Sequence, residues 1–431
     1  MSKKITLILK LFLCKLRPLN EAGAYLKTEW EVGPSLFFYC LSALFNVINR
    51  FNDIKIQNTL IERGINMRLP SLAIKNVRLK YCVFQGGMGV GGSLHPLAGA
   101  VAKEGGLGIV SSAALRTIVS LRDGKEVDTY TAVRIEMERA RSLAGKSAIG
   151  INVMCAIVRD YHDTIRAAID AGVDAIISGA GLPLGLPGIK PPGHTALIPI
   201  VSSARALVNI IKRWERLHYR PDAVVLEGPL AGGHLGFKPE QIEDPAFALE
   251  QLLPQVLEVA HLYDDIPVIV AGGVYTHEDI VKFREMGASG AQLGTRFMGT
   301  DEFSGTDKYK QAVVQAGRDD ITVVAYPDKT PASPCGLPFR ILTNSPMYRA
   351  GRVAKCNKGY VLQDGPDGKL SSCQAMPGNP KNKSFFCICN GLLASAGYNP
   401  AELPLYTVGT NAYRVNKIVP VADLMRELRG E

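Results

Sequence analysis

The chain has 431 residues, 47% of them hydrophobic and 21% charged, and carries a net charge of +9. That is ordinary globular composition with length for a large core, and it contains no run of ~20 apolar residues that could span a membrane. No basic stripe interleaved with aromatics is present, so nucleic acid is not an expected partner, whereas a mildly basic surface suits an acidic substrate or an acidic carrier protein.

Residues 1–66 hold nine Lys/Arg against five Asp/Glu, which is +4 of the net charge. The first residues, MSKKITLILKLFLCKL, mimic the basic and apolar regions of a signal peptide, but Lys10 and Lys15 interrupt them and no clear small-residue cleavage site follows. Residues 35–49 are apolar but too short to cross a bilayer. A conventional domain start appears at Met67, and residues 1–66 read as a leader that is not part of the functional protein.

From residue 80 onward, short β-branched runs alternate with amphipathic stretches. The expected strands are 81–84, 108–111, 147–153, 174–178, 197–201, 223–227, 267–270 and 290–293, and helical patterns include 160–171, 204–217, 246–262 and 277–286. Strands of this kind are buried on both faces and need helices over them. Eight such units over about 210 residues predict an α/β fold of the (β/α)8 TIM-barrel type, with a doubly wound open sheet as the competitor. The barrel is expected over 67–300, a helical insertion and loop over 301–345, and a cysteine-containing C-terminal region over 346–431.

The ends of these strands carry the chemistry. Gln85-Gly-Gly-Met-Gly-Val-Gly-Gly-Ser93 follows the first strand. Its glycines let backbone approach a flat ligand, but no acidic residue follows on a second strand, so a dinucleotide fingerprint is a poor reading. Gly150-Ile-Asn152 places a carboxamide at the end of the third strand, to contact a ligand or to satisfy the loop backbone. Glu227-Gly-Pro-Leu-Ala-Gly-Gly-His234 ends the sixth strand in a glycine turn and one histidine, a cofactor bed beside an acid/base group. The alternative is a surface turn with a solvated histidine. After the seventh and eighth strands, Gly272, Gly273, Gly294 and Thr295 offer backbone N–H groups where barrels commonly hold a phosphate. The remaining histidines read as surface or structural, with His95 alone lying near a glycine loop.

The nine cysteines are unevenly placed. Cys14 and Cys40 fall in the leader and Cys82 and Cys155 on expected strands. Cys335, Cys356, Cys373, Cys387 and Cys389 crowd into the last quarter, where metal or redox chemistry is a better reading than a disulfide framework.

The motifs QGGMGVG (85–91), AKEGGLGIVSS (102–112), GINV (150–153), GPLAGGH (228–234), VAGGV (270–274) and QLGTRF (292–297) together resemble the nitronate monooxygenase family of FMN-dependent barrels. The resemblance covers roughly residues 68–425. It implies FMN across the C-terminal mouth of the barrel. Gly86, Gly87 and Met88 would face the isoalloxazine, Asn152 would contact flavin or substrate, and Gly232 and Gly233 would lie along the cofactor. Gly272, Gly273, Gly294 and Thr295 would hold the phosphate, and His234 would be the catalytic base. Where the family often has Gln, this chain has Glu227, a charge beside the ring that bears on which substrate can bind.

GPLAGGHLGF (228–237), Phe386-Cys-Ile-Cys-Asn-Gly-Leu392 and Gly409-Thr-Asn-Ala-Tyr-Arg414 also resemble a subset with a C-terminal cysteine region, acyl-carrier dehydrogenase/isomerases with FMN and a [4Fe–4S] cluster. The resemblance implies Cys356, Cys373 and Cys387 as ligands, with Cys389 or Cys335 as the fourth. The spacing is irregular, and a cluster, a zinc ion and unligated thiols all stay open.

The expected activity is an FMN-dependent oxidation in which His234 takes an acidic C–H proton and electrons pass to flavin and then O2, converting a nitronate into a carbonyl compound and nitrite. The alternatives are an acyl-thioester dehydrogenase/isomerase or enoyl reductase, and a flavin or metal sensor. The expected partners are a small nitronate or acyl thioester, an acyl carrier protein in the second case, and a second copy of the chain in a homodimer. The expected location is the cytoplasm.

Overall fold

Eight parallel strands form one sheet: β1 (Val83–Gln85), β2 (Gly108–Ser111), β3 (Ile149–Met154), β4 (Ala175–Gly179), β5 (Ala196–Val201), β6 (Val224–Glu227), β7 (Val268–Ala271) and β8 (Gly290–Leu293). The order is 1-8-7-6-5-4-3-2, and a parallel bridge from Phe84 to Leu107, with Gln85 N donating to Leu107 O at 3.0 Å, joins the two ends. The sheet is therefore a closed TIM barrel. The computed structural model describes residues 68–324, 333, 337–350, 363–364, 370–371 and 386–431. These belong to one compact unit, Met67–Glu431.

The period-2 alternation of strand side chains sorts the core. Phe84, Ile109, Ile177, Ile198, Val225 and Ile269 point inward and form the barrel interior, while a β-hairpin (Leu72–Ile74 and Val77–Leu79) adds Ile74, Val77 and Leu79 to the same cluster. The alternate residues Val83, Val110, Ile151, Ile176, Leu226 and Val270 point outward into a second cluster under the helices. Those helices are α1 (His95–Lys103), α2 (Leu115–Asp123), α3 (Thr129–Ala144), α4 (Val158–Asp170), α5 (Ala204–Glu215), α6 (Leu249–His261), α7 (His277–Glu285) and the single turn α8 (Thr295–Met298). Local signals set their starts. The Ser203 side chain accepts from Ala206 N ahead of α5, and Thr276 with Asp279 makes a reciprocal capping box at α7.

The segment expected to be a helical insertion and loop also contains strands. After α9 (Asp307–Val314), β9 (Ile321–Val324) pairs antiparallel with β10 (Phe339–Leu342), and β10 pairs in turn with Gly233–His234, matching Phe339 to His234. The β-branched and aromatic residues of ITVV and FRIL favour strand, and the partner that completes the sheet lies about a hundred residues earlier in the chain. The chain then forms α10 (Pro346–Arg349), α11 (Ile388–Ser395), a 3-10 turn over Thr410–Arg414, and α12 (Val421–Leu428). Among the described residues no helix is long and apolar enough to cross a membrane.

Candidate active site

A cavity of ≈ 860 Å³ opens over the C-terminal ends of the strands, and every cofactor-binding and catalytic position expected from the sequence lines it. The first wall is the glycine loop after β1. Gln85 is fully buried, accepts from Ile109 N at 2.9 Å, and donates to Ser93 Oγ at 2.8 Å and to Gly86 O. Ser93 Oγ accepts in turn from Met88 N at 2.9 Å. One buried amide thus shapes the loop that presents Gly86, Gly87 and Met88. A Cβ on Gly87 would stand 2.3 Å from Asn152 Cβ, so the absent side chain is what lets loop and carboxamide meet.

The opposite wall begins at Glu227, the last residue of β6, in register with Ala271 of β7. Gly272 has φ +83, and a Cβ there would lie 2.6 Å from Gly228 O, so the loops after β6 and β7 touch backbone to backbone. Gly232 is likewise required, since its Cβ would lie 2.6 Å from the Val408 carbonyl carbon. His234 is half-buried, with its ring edge-on to Phe339 at a centroid distance of 4.8 Å. Glu227 is half-buried and opens onto the cavity it lines. Desolvation there pushes its carboxyl up to about 7, with the nearby His234 acting in the other direction.

The third wall is the pair of loops after β7 and β8. Gly273 has φ +110. Among the described residues the N–H groups of Gly272, Gly273 and Thr295 have no backbone acceptor. The C-terminal segment, whose Gly409 and Asn411 also line the cavity, ties these loops to the one after β6: Gly409 N donates to Thr295 Oγ1 at 2.8 Å, Asn411 Nδ2 to Gly273 O at 2.7 Å, and Thr410 N to Leu230 O at 3.1 Å.

Gln292 also lines the cavity and was not anticipated from the sequence. It is buried at 8% exposure, and its Oε1 has no partner among the described residues. An amide on an otherwise apolar barrel strand was the available signal, since an orphaned buried acceptor is costly without a ligand. Cys387 and Cys389 lie on the same cavity wall. Cys335, Cys356 and Cys373 lie outside the described residues, and among the described residues no group of three or more ligating side chains converges. His95 is elsewhere: its Nδ1 sits 2.9 Å from the buried Glu136, which also accepts from His95 N at 2.8 Å.

The donor set fits a flavin mononucleotide. Side-chain-free backbone gives a flat ring a bed, Asn152 and Gln292 offer amides to its polar edge, and the free N–H groups suit a phosphate. The family model described as nitronate monooxygenase matches residues 71–431. The chain belongs to that family. It is therefore an oxidoreductase of an FMN-dependent family. Among curated relatives, it is 28% identical over 269 residues to a 5-hydroxy-7a-methyl-1-oxo-octahydro-1H-indene-4-carboxyl-CoA dehydrogenase of Rhodococcus jostii, covering 62% of this chain and 64%, less than two thirds, of that protein. It is 25% identical over 282 residues to a probable nitronate monooxygenase of Staphylococcus saprophyticus, covering 60% of this chain and 76% of the relative. Among solved structures, FabK from Thermotoga maritima superposes with a TM-score of 0.58 at 23% identity, covering 81% of this chain and 92% of that one. Nitroalkane oxidase from Streptomyces ansochromogenes superposes with a TM-score of 0.57 at 22% identity, covering 82% and 96%. Both likenesses speak for the barrel fold.

Proposed function

We propose that this nitronate monooxygenase family member binds FMN across the barrel mouth and oxidises a nitronate to a carbonyl compound and nitrite, with His234 as the base for a neutral nitroalkane. The observation that carries this reading is the convergence of His234, two amides, the glycine beds and the free N–H groups on one cavity. Gly86, Gly87, Met88, Gly232 and Gly233 bear the ring, Asn152 and Gln292 hold its polar edge, and Gly272, Gly273, Gly294 and Thr295 hold the phosphate. When bound, FMN supplies a two-electron acceptor that O2 can reoxidise. His234 takes the substrate proton on its imidazole. Glu227, protonated below about pH 7, leaves the anion binding site free of a second negative charge.

A second reading has specific support. Cys387 and Cys389 share the cavity wall, and the Rhodococcus jostii relative is named as a carboxyl-CoA dehydrogenase. An acyl thioester also has an acidic C–H, and the same base could remove it. Cys356, Cys373 and Cys387, with Cys389 or Cys335, would then hold a [4Fe–4S] cluster, and an acyl carrier protein would deliver the substrate. The deciding experiment is anaerobic stopped-flow reduction of FMN in protein purified without oxygen and assayed for iron and sulfide. Reduction by the 2-nitropropane anion without iron supports the first reading. Reduction by a saturated acyl thioester in iron-containing protein overturns it in favour of the second. Reduction by neither removes both.

A further inference from the structure

We propose that Arg340 is a positioning residue for His234, clamping the turn from which the histidine projects. The inference rests on the role proposed above for His234.

Arg340 lies on β10 between Phe339 and Ile341, all three of them buried. A guanidinium in such a strand is costly unless its donors are used. Its Nη1 donates to Pro229 O at 2.9 Å and to Ala231 O. Both acceptors belong to the turn between Glu227 and His234. Among the described residues no carboxylate lies within ion-pair distance of it, so the carbonyls are its hydrogen-bond partners, with the charge of Glu243 acting on it from farther off. Burial lowers Arg340 to about 10, which leaves it charged at neutral pH.

The same strand grips the histidine from the other side. Phe339 pairs with His234 and Arg340 with Gly233 in the antiparallel register, and Leu235 N donates to Pro338 O at 3.0 Å. The Phe339 ring meets the His234 ring edge-on. Arg340 O accepts from Thr407 Oγ1 at 2.8 Å, and Thr407 N donates to Tyr309 Oη at 3.0 Å, which anchors the strand to α9. The proposed base therefore stands on a two-residue strand whose preceding turn is held at Pro229 and Ala231 by Arg340 and at Leu230 by Thr410. Both bonds come from Nη1, so Arg340→Lys puts an ammonium on a shorter, more flexible stem where the rigid guanidinium holds that nitrogen between the two carbonyls. Displacement of a base by about 1 Å costs on the order of 100-fold in rate.

The test uses FMN-loaded Arg340→Met and Arg340→Lys, with His234→Gln as control, in protein carrying labelled histidine. The His234 ring signal is assigned by its loss in His234→Gln, and its line shape is followed by NMR. In Arg340→Met, FMN content is measured beside the rate and the rate is taken per bound FMN, because Gly232 and Gly233 of the same turn are proposed to bear the ring. The His234 signal should broaden, as expected when the turn that carries the ring gains freedom. FMN reduction by the substrate that reduces the parent protein should fall about 10- to 100-fold, with Arg340→Lys between. An unchanged His234 line shape in Arg340→Met overturns the proposal, as does a rate loss that tracks FMN loss alone. If Arg340→Met does not fold, Arg340→Lys decides by the same two readouts. If His234→Gln reduces at the parent rate, the role of His234 falls instead, and the NMR line shape still reports whether Arg340 orders its ring.

Discussion

Glu227 is the residue whose environment makes the sharpest demand. Its ordinary value of 4.5 is pushed up to about 7 by desolvation in the cavity wall. The folded protein therefore keeps a proton that the unfolded chain releases. The stability this contributes is full below pH 4.5 and is lost as pH rises through 7. Glu227→Gln keeps the shape and removes the titration. It should match the parent protein in denaturant melts near pH 4 and exceed it at pH 8, by as much as about 3 kcal/mol at ~1.4 kcal/mol per unit. Equal melts at pH 8 would show that the carboxyl is not desolvated. In catalysis the same proton separates the two substrate classes. With an anionic nitronate, kcat/KM should fall above pH 7 in the parent and stay level in Glu227→Gln, because a carboxylate beside the site repels the anion. His234→Ala should lower turnover about 10²- to 10⁴-fold while FMN stays bound. Turnover equal to the parent's would remove His234 from the chemistry.

At the scale of the element, the loops after β6 and β7 owe their contact to absent side chains. Gly272→Ala meets two obstacles: φ is +83, and the new Cβ falls 2.6 Å from Gly228 O and 3.0 Å from Gly228 N. Both neighbours are backbone and cannot swing aside. The expected result is a chain that still folds, since the strands are untouched, but binds FMN at least about 10-fold more weakly, the cost of roughly 1.4 kcal/mol of strain. Titration with riboflavin beside FMN locates the defect. The parent should prefer FMN, and Gly272→Ala should lose most of that preference, whereas equal losses for both ligands would place the damage at the ring and not at the phosphate.

These loops were legible because a run of glycines at the end of a buried strand weakens the chain unless backbone or ligand must come close there. The strands were legible from their continuous apolar runs, and β2 and β8 run from Gly108 to Ser111 and from Gly290 to Leu293 as expected. The first strand is expected at 81–84 and forms at Val83–Gln85. Its polar last residue looks like loop, and it enters the strand because Ile109 N supplies a buried partner for its amide. Arg340 and Phe339 were not legible as part of the site. A basic residue in a short apolar run gives no hint of which distant carbonyls it will reach. Gln292 lies inside a recognised motif, yet only the orphaned oxygen on the cavity wall sets it apart.

At the scale of the whole molecule, the C-terminal segment couples the loops after β6, β7 and β8. Gly409 reaches Thr295, Asn411 reaches Gly273 O, and Thr410 reaches Leu230 O. The segment is fixed below by α12, whose Val421, Leu424, Met425 and Leu428 are fully buried. A ligand that orders the loops after β7 and β8 is therefore expected also to order the turn before His234, through a shared set of hydrogen bonds. FMN at 100 times its Kd should stabilise the protein by about 2.7 kcal/mol, the linkage expected for one site on the folded state alone. Hydrogen exchange should then slow together over 228–236, 272–274 and 407–412, while the barrel interior, already closed, changes little. Asn411→Ala tests the coupling directly. It removes the Gly273 contact without touching the donors proposed for the phosphate, so FMN should still protect 272–274 but protect 228–236 less. Protection that stays equal in both segments would mean that the walls respond to the ligand independently, with the C-terminal segment as a cover and not a link.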